Sequence, residues 1–182
     1  TLELVSGGFD STLATVNGQD YEKLAIGDYV HGYTSQTGHP QLPLKGVLVD
    51  VPEGHSANIS ILQTEPEVHS GYRVFPVPAH VKEESDELAR VSEVFSIDPQ
   101  AYARNRFFPD TAAQLGESYQ FRDQPKQQVI FYPLSFNPAT GQLVFYKRIR
   151  VRINYVDSDL ARVSAPGPTP WKPPVQDSLL ES

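Results

Sequence analysis

Between residues 142 and 156 the chain repeats with a period of two. Leu143, Phe145, Ile149, Val151, Ile153 and Tyr155 fall on one face, interrupted by Lys147, and Tyr146, Arg148, Arg150 and Arg152 fall on the other. Successive side chains of an extended strand point to opposite faces, so the pattern predicts a half-buried antiparallel strand and rules out a helix there. Such a strand needs partners. Short apolar runs at residues 2–5, 12–16, 21–26, 45–51, 57–63, 72–77 and 128–136 supply them, separated by many of the 16 prolines and 12 glycines. Asn17-Gly18 lies between two runs and predicts a tight hairpin, since both residues tolerate positive φ. Asn137-Pro-Ala-Thr-Gly141 predicts a longer turn into the strand at 142–156. The arginine row is read as a solvated face opposite carboxylates of a neighbouring strand. The chain reads as all-β.

Two stretches depart from that pattern. Residues 82–95 place Leu88, Val91 and Phe95 at helical spacing and predict a helix, and Asp98-Pro99 predicts a further capped turn with proline in the first helical position. Both read as an insertion carried by a sheet. Residues 161–182 hold Pro166, Pro168, Pro170, Pro173 and Pro174, which favour an extended, stiff linker towards a following domain. The domain itself is expected over residues 1–160.

Composition narrows the function classes. A net charge of -7 argues against non-specific binding to nucleic acid or to anionic lipid. No apolar run approaches the ~20 residues of a spanning helix, so no membrane insertion is expected. The chain has no cysteine, hence no disulfide, thiolate metal site or cysteine nucleophile of its own. It also has no methionine, which makes Thr1 an internal residue of a longer precursor in this reading.

Ser6-Gly7-Gly8-Phe9-Asp10-Ser11 resembles the SGGxDS signature of ATP pyrophosphatases, but the helix and βα units that such a loop requires do not follow, so a glycine hairpin is expected instead. His31, His39, His55, His69 and His80 are not spaced as metal ligands, and no serine sits in a Gly-x-Ser-x-Gly elbow. No segment gathers acids and aromatics as a sugar cleft does. Asn58-Ile-Ser60 is a formal glycosylation sequon of little weight. No catalytic residue, cofactor or metal is expected.

A family resemblance is carried by several motifs in order. They are Val16-Asn-Gly-Gln-Asp-Tyr21, Gly38-His-Pro-Gln-Leu-Pro43, Val51-Pro-Glu-Gly54, Gly71-Tyr-Arg-Val-Phe-Pro-Val-Pro78, Phe107-Phe-Pro109, and Phe131-Tyr-Pro-Leu-Ser-Phe-Asn-Pro-Ala-Thr-Gly141 running into the last strand. The chain resembles the N-terminal propeptides of gingipain-type, caspase-like cysteine peptidases over residues 16–156, apart from residues 82–104. The resemblance implies a jelly-roll-like antiparallel β-sandwich with a short helical or irregular insertion. It also implies an exported precursor, in which the propeptide holds a C-terminal peptidase domain latent and helps it fold. In related propeptides a basic residue, on a loop after the Phe-Phe-Pro motif, enters the specificity pocket.

Here the corresponding loop, residues 119–126, places Arg122 at that position. Asp123 follows the potential cut site and Pro125 stiffens the chain beyond it. Lys126, Arg104 and Arg106 are the reserve cations. Two other readings stay open: a carbohydrate-binding or adhesion module, marked by exposed aromatics such as Tyr146, Tyr132 or Phe136, and a structural or sorting domain whose peptidase has degenerated. Arg162-Val163 is a possible processing point.

Overall fold

The computed structural model describes residues 1–29, 32–83 and 90–157, which form twelve strands and one helical turn. The first sheet is built on the predicted long strand. β12 (Gln142–Asp157) pairs along one edge with β6 (His55–His69), and along the other with β1 (Leu2–Val5) and β11 (Leu134–Asn137). The second sheet has the order β4 (Gly32–Tyr33), β5 (Pro43–Asp50), β10 (Gln124–Phe131), β9 (Ala113–Phe121). All pairings within both sheets are antiparallel. The sheets meet across a core in which Val129 and Phe131 of the second pack with Ile149 and Val151 of the first. The fold is an all-β sandwich.

The interruption at Lys147 has a structural cause. Tyr146 opposes Pro66 and Arg148 opposes Glu65, so Lys147 is the extra residue of a bulge. The cations of β12 lie among acids on its neighbours, as expected. Arg148 pairs with Glu3 and with Glu65 (3.0 Å), Arg150 with Glu3 (3.4 Å), and Lys147 with Glu67, whose carboxyl it holds below the usual range.

A second core closes one end of the sandwich. β2 (Asp10–Val16) and β3 (Gln19–Ala25) form the Asn17-Gly18 hairpin, with φ of 52° and 76° at the two turn residues. Leu24 and Ile26 bury against Leu134, Phe136, Leu143 and Phe145. The capped turn is present as α1 (Pro99–Ala103), where Asp98 accepts from Gln100 N and Ala101 N. Beside it Gly38 (φ 79°) passes so close that a Cβ would stand 2.8 Å from Asp98 N.

Four expectations are corrected. The described parts of residues 82–95 are not helical: β7 (Ala79–Glu83) and β8 (Arg90–Val94) pair as a ribbon. Valines at 81, 91 and 94 favour extended backbone, and of the three helically spaced residues Phe95 is the one seen to reach the core, against Tyr21 and Phe75. Residues 6–9 are not a hairpin, because β1 and β2 lie in different sheets; Gly7 N donates to Asp28 at 2.5 Å on the way across. Residues 72–77 thread through the core by isolated bridges at Val74 and Pro76 rather than as a strand. The run 128–136 splits at Tyr132-Pro133, where the chain leaves one sheet for the other. His31, the linker 161–182 and Arg162-Val163 lie outside the described residues.

Candidate functional site: a cationic hairpin tip

Four of the motifs of the resemblance brace the core. Phe108 and Phe136 exchange backbone hydrogen bonds at 2.8 Å, Ser135 Oγ donates to the Pro109 carbonyl (2.6 Å), and Pro40 bridges Pro76 beneath fully buried Leu42. Functional residues are to be sought on what this frame holds out to solvent.

The segment 119–126 is not a loop. It is the distal end of the β9–β10 hairpin, in which Phe121 opposes Gln124 and only Arg122 and Asp123 turn the chain. Both have positive φ, 47° and 64°, as the two central residues of a type I′ turn must. Their side chains are exposed, and the Arg122 guanidinium lies 5.5 Å from the centre of the Phe121 ring. The hairpin is longer than expected because β10 starts at Gln124, not 128.

Lys126 is therefore a strand residue. It opposes Asp50 on β5 and its ammonium meets that carboxylate at 2.5 Å. The structure thus separates the three residues expected to act together: Arg122 and Asp123 form the tip, and Lys126 is engaged on the flank. The reserve cations are elsewhere. Arg104 and Arg106 line a cleft of about 540 Å³ with Ile130 and Gln114, six residues along β10 from Gln124, or ~20 Å at ~3.3 Å per residue. Arg106 also pairs with Asp110 at 2.5 Å.

What keeps the tip in place is a residue that sequence reasoning missed. The register shifts by one residue between Gln127 and Val129, leaving a bulge in β9 around Gly116 and Glu117. The buried Gln127 side chain satisfies it: its amide donates to Gly116 O (2.9 Å) and Glu117 O (3.3 Å), and its carbonyl accepts from Ser118 Oγ (2.8 Å). A bulge closed in this way pins the register of both arms. The one signal in the sequence is a glutamine pair directly before the apolar run that starts at Val129.

From the tip an apolar strip runs back along the outer face of the second sheet. Phe121 is 59% exposed, Tyr119 43% and Leu48 55%, and the register places them on one face with Gln124, Lys126 and Gln128. Beside the tip, Asp123, Gln124 and Pro125 share a niche with Asp50, Pro52, Glu53 and Tyr155, and the Tyr155 hydroxyl donates to Asp50 O at 2.8 Å. The last described turn of chain, at the end of β12, thus sits at the same end of the sandwich as Arg122.

The other candidate groups are dispersed. No group of three or more metal-ligating side chains is assembled among the described residues. His39 lies 3.7 Å from Asp98, His69 3.2 Å from Glu67 and His80 3.6 Å from Glu93, and His55 Nδ1 donates to Glu53 O at 2.9 Å. Of the three aromatics named for a sugar-binding face, Tyr132 is 7% and Phe136 1% exposed, and half-buried Tyr146 packs on the central core.

Fold and site together define an antiparallel β-sandwich that presents a basic protrusion on a braced hairpin. Comparison with known proteins gives this class its family. The model of the family Propeptide_C25 matches residues 28–163. Gingipain R1 of Porphyromonas gingivalis is 25% identical over 120 residues, which cover 66% of this chain and 12% of that protein. Two solved structures share the fold. One is the complex of P. gingivalis RgpB pro- and mature domains (TM-score 0.72, 20% identity, 85% of this chain and 78% of that one). The other bears on zymogenic latency of gingipain K from the same organism (TM-score 0.66, 18% identity, 85% and 84%). The chain belongs to the C25 propeptide family: it is a gingipain-type propeptide.

Proposed function

We propose that this pro-domain holds a gingipain-like cysteine peptidase domain latent by placing Arg122 in its specificity pocket, and that it assists the folding of that domain. The observation that carries the reading is the residue chosen for the turn. The same turn type is written Asn17-Gly18 elsewhere in the chain, with residues that enter the left-handed region readily. Arginine there costs ~1–2 kcal/mol. A residue that breaks a local folding rule at an exposed tip, with no compensating burial, is where function is expected.

The chemistry fits. A guanidinium is permanently charged and offers a planar fork that makes paired hydrogen bonds to a carboxylate at the floor of a pocket. One such anchor, desolvated at the centre of an interface, supplies ~2–4 kcal/mol. The strip of Phe121, Tyr119 and Leu48 gives the partner an apolar surface around it. The end of β12 beside the tip lets a domain following this one in a precursor reach Arg122 over a short distance. Export of that precursor is part of the same proposal.

Arg122→Ala tests it. Inhibition of the cognate peptidase should weaken by at least ~2 kcal/mol, about thirtyfold, with an unchanged circular dichroism spectrum. Unchanged inhibition would reject the hairpin tip as the inhibitory element while leaving the family assignment intact.

A further inference from the structure

An arginine delivered to an arginine-accepting cleft is a substrate unless something prevents hydrolysis. We infer that Asp123 prevents it through its backbone: by holding a left-handed turn across the Arg122–Asp123 bond, it makes Arg122 a ligand that is not cut. The inference rests on the reading that Arg122 enters the cleft.

Hydrolysis would break the bond between the Arg122 carbonyl carbon and the Asp123 nitrogen, water supplying hydroxyl to the carbon and a proton to the nitrogen. A peptidase cleft takes the chain extended on both sides of that bond, with Phe121 and Gln124 separated by about 10 Å at ~3.3 Å per residue. In the hairpin these residues oppose each other, and the four residues of such a turn close to within ~7 Å. The chain beyond the bond returns along the chain before it, so the leaving side cannot continue through a cleft. Straightening it requires both φ values to change sign and the hairpin end to unpair.

The arms resist that. The Gln127-closed bulge fixes their register, the Val51 amide donates to Pro125 O at 2.9 Å, and Lys126 holds Asp50. Asp123 suits the role because aspartate tolerates the left-handed region, whereas a β-branched residue does not. Its carboxylate is the rival explanation, since a negative charge just past the cut site also slows many peptidases.

The chain contains its own control. Arg104 is exposed too, but its backbone is extended (φ -72°, ψ 124°), and it is followed by Asn105. Asp123→Asn makes the dipeptide at the tip identical to the one at 104–105, removes the charge and keeps a residue that favours the turn. The full 182-residue chain and its variants are exposed to trypsin, and the cuts are timed by mass spectrometry. The wild type and Asp123→Asn should be cut after Arg104 at least tenfold faster than after Arg122. Asp123→Val should be cut after both at similar rates. So should a chain with Gly-Ser inserted after Asp123, which opens the turn without a β-branched residue and serves should the valine variant fail to fold.

Rapid cutting of Asp123→Asn after Arg122 would assign the resistance to charge and overturn the inference. Equal cutting of the wild type at the two sites would do the same. The same panel, assayed against the mature domain of gingipain R1, separates the two readings. Asp123→Val should inhibit at first and lose inhibition within the assay as it is cleaved, whereas Arg122→Ala should fail from the start. A full-strength Arg122→Ala inhibitor would reject the reading of the site without touching the trypsin result.

Discussion

Replacing Arg122 with asparagine separates what the tip does for the fold from what it does for a partner. Asparagine enters the left-handed region readily, so the substitution relieves ~1 kcal/mol of backbone cost at φ 47°. It also removes the guanidinium from the Phe121 ring, an exposed contact at 5.5 Å worth ~0.5 kcal/mol. The folded state should therefore gain about 0.5 kcal/mol. For a domain of this size each kcal/mol moves Tm by ~2–4 °C, so calorimetry should show a rise of ~1–2 °C. Titration of the cognate peptidase should show the opposite sign, a loss of ~2–4 kcal/mol or about thirtyfold to a thousandfold in inhibition. A variant that is more stable yet a far weaker inhibitor is the signature of a residue kept at the fold's expense. A fall in Tm of more than 2 °C would show that the turn has other reasons to prefer arginine, and undiminished inhibition would show that the pocket is filled by something else.

Two further substitutions test the frame behind the tip. Gly38→Ala should lower Tm by ~4–8 °C, because its Cβ would stand 2.8 Å from the Asp98 amide at a φ of 79°, a conflict of ~2 kcal/mol; a Tm within 1 °C of wild type would refute the close approach. Tyr102→Phe should cost ~1–2 kcal/mol in urea unfolding at pH 8, since the phenol donates to the buried Val74 carbonyl at 2.7 Å. Burial also pushes the Tyr102 phenol above its usual value of 10. The unfolded phenol releases its proton from about pH 10 upwards while the folded one keeps it, so this stability is complete below pH 10 and declines as the pH climbs further. The phenylalanine variant should show a shallower decline between pH 9.5 and 11, and identical slopes would exclude this phenol as a source of it.

How much of this was legible depended on whether a feature is local. The alternation in β12, the Asn17-Gly18 turn and the Asp98 cap with Pro99 are set by neighbours in sequence, and all three appear as read. The motifs of the resemblance pointed to the right family, and the structure shows four of them bracing the core. Arg122 could be placed only by likeness, because arginine is not a turn residue: Asp123 accepts the left-handed conformation, and the register of the two strands carries Arg122 into it against its own preference. The Gln127 closure was hidden for the same reason, since its partners at Gly116, Glu117 and Ser118 become neighbours only when the hairpin forms. The ribbon at β7 and β8 misled the reading because the spacing of Val91 and Phe95 does not distinguish a helix from a short extended arm, and the valines at 81, 91 and 94 favour the arm.

The change of sheets at Tyr132-Pro133 bears on how a domain like this lets go. The strand that ends in the tip continues directly into β11, so one stretch of backbone, residues 124–137, is stitched first into one layer and then into the other. Only Tyr132 and Pro133 join the two strands. If Arg122 fills a cleft as proposed, the protrusion is a key cut from the same metal as its bow, and withdrawal should move the whole body together. On the proposed reading removal is then expected to be all-or-none, with the domain detached or destroyed as a unit.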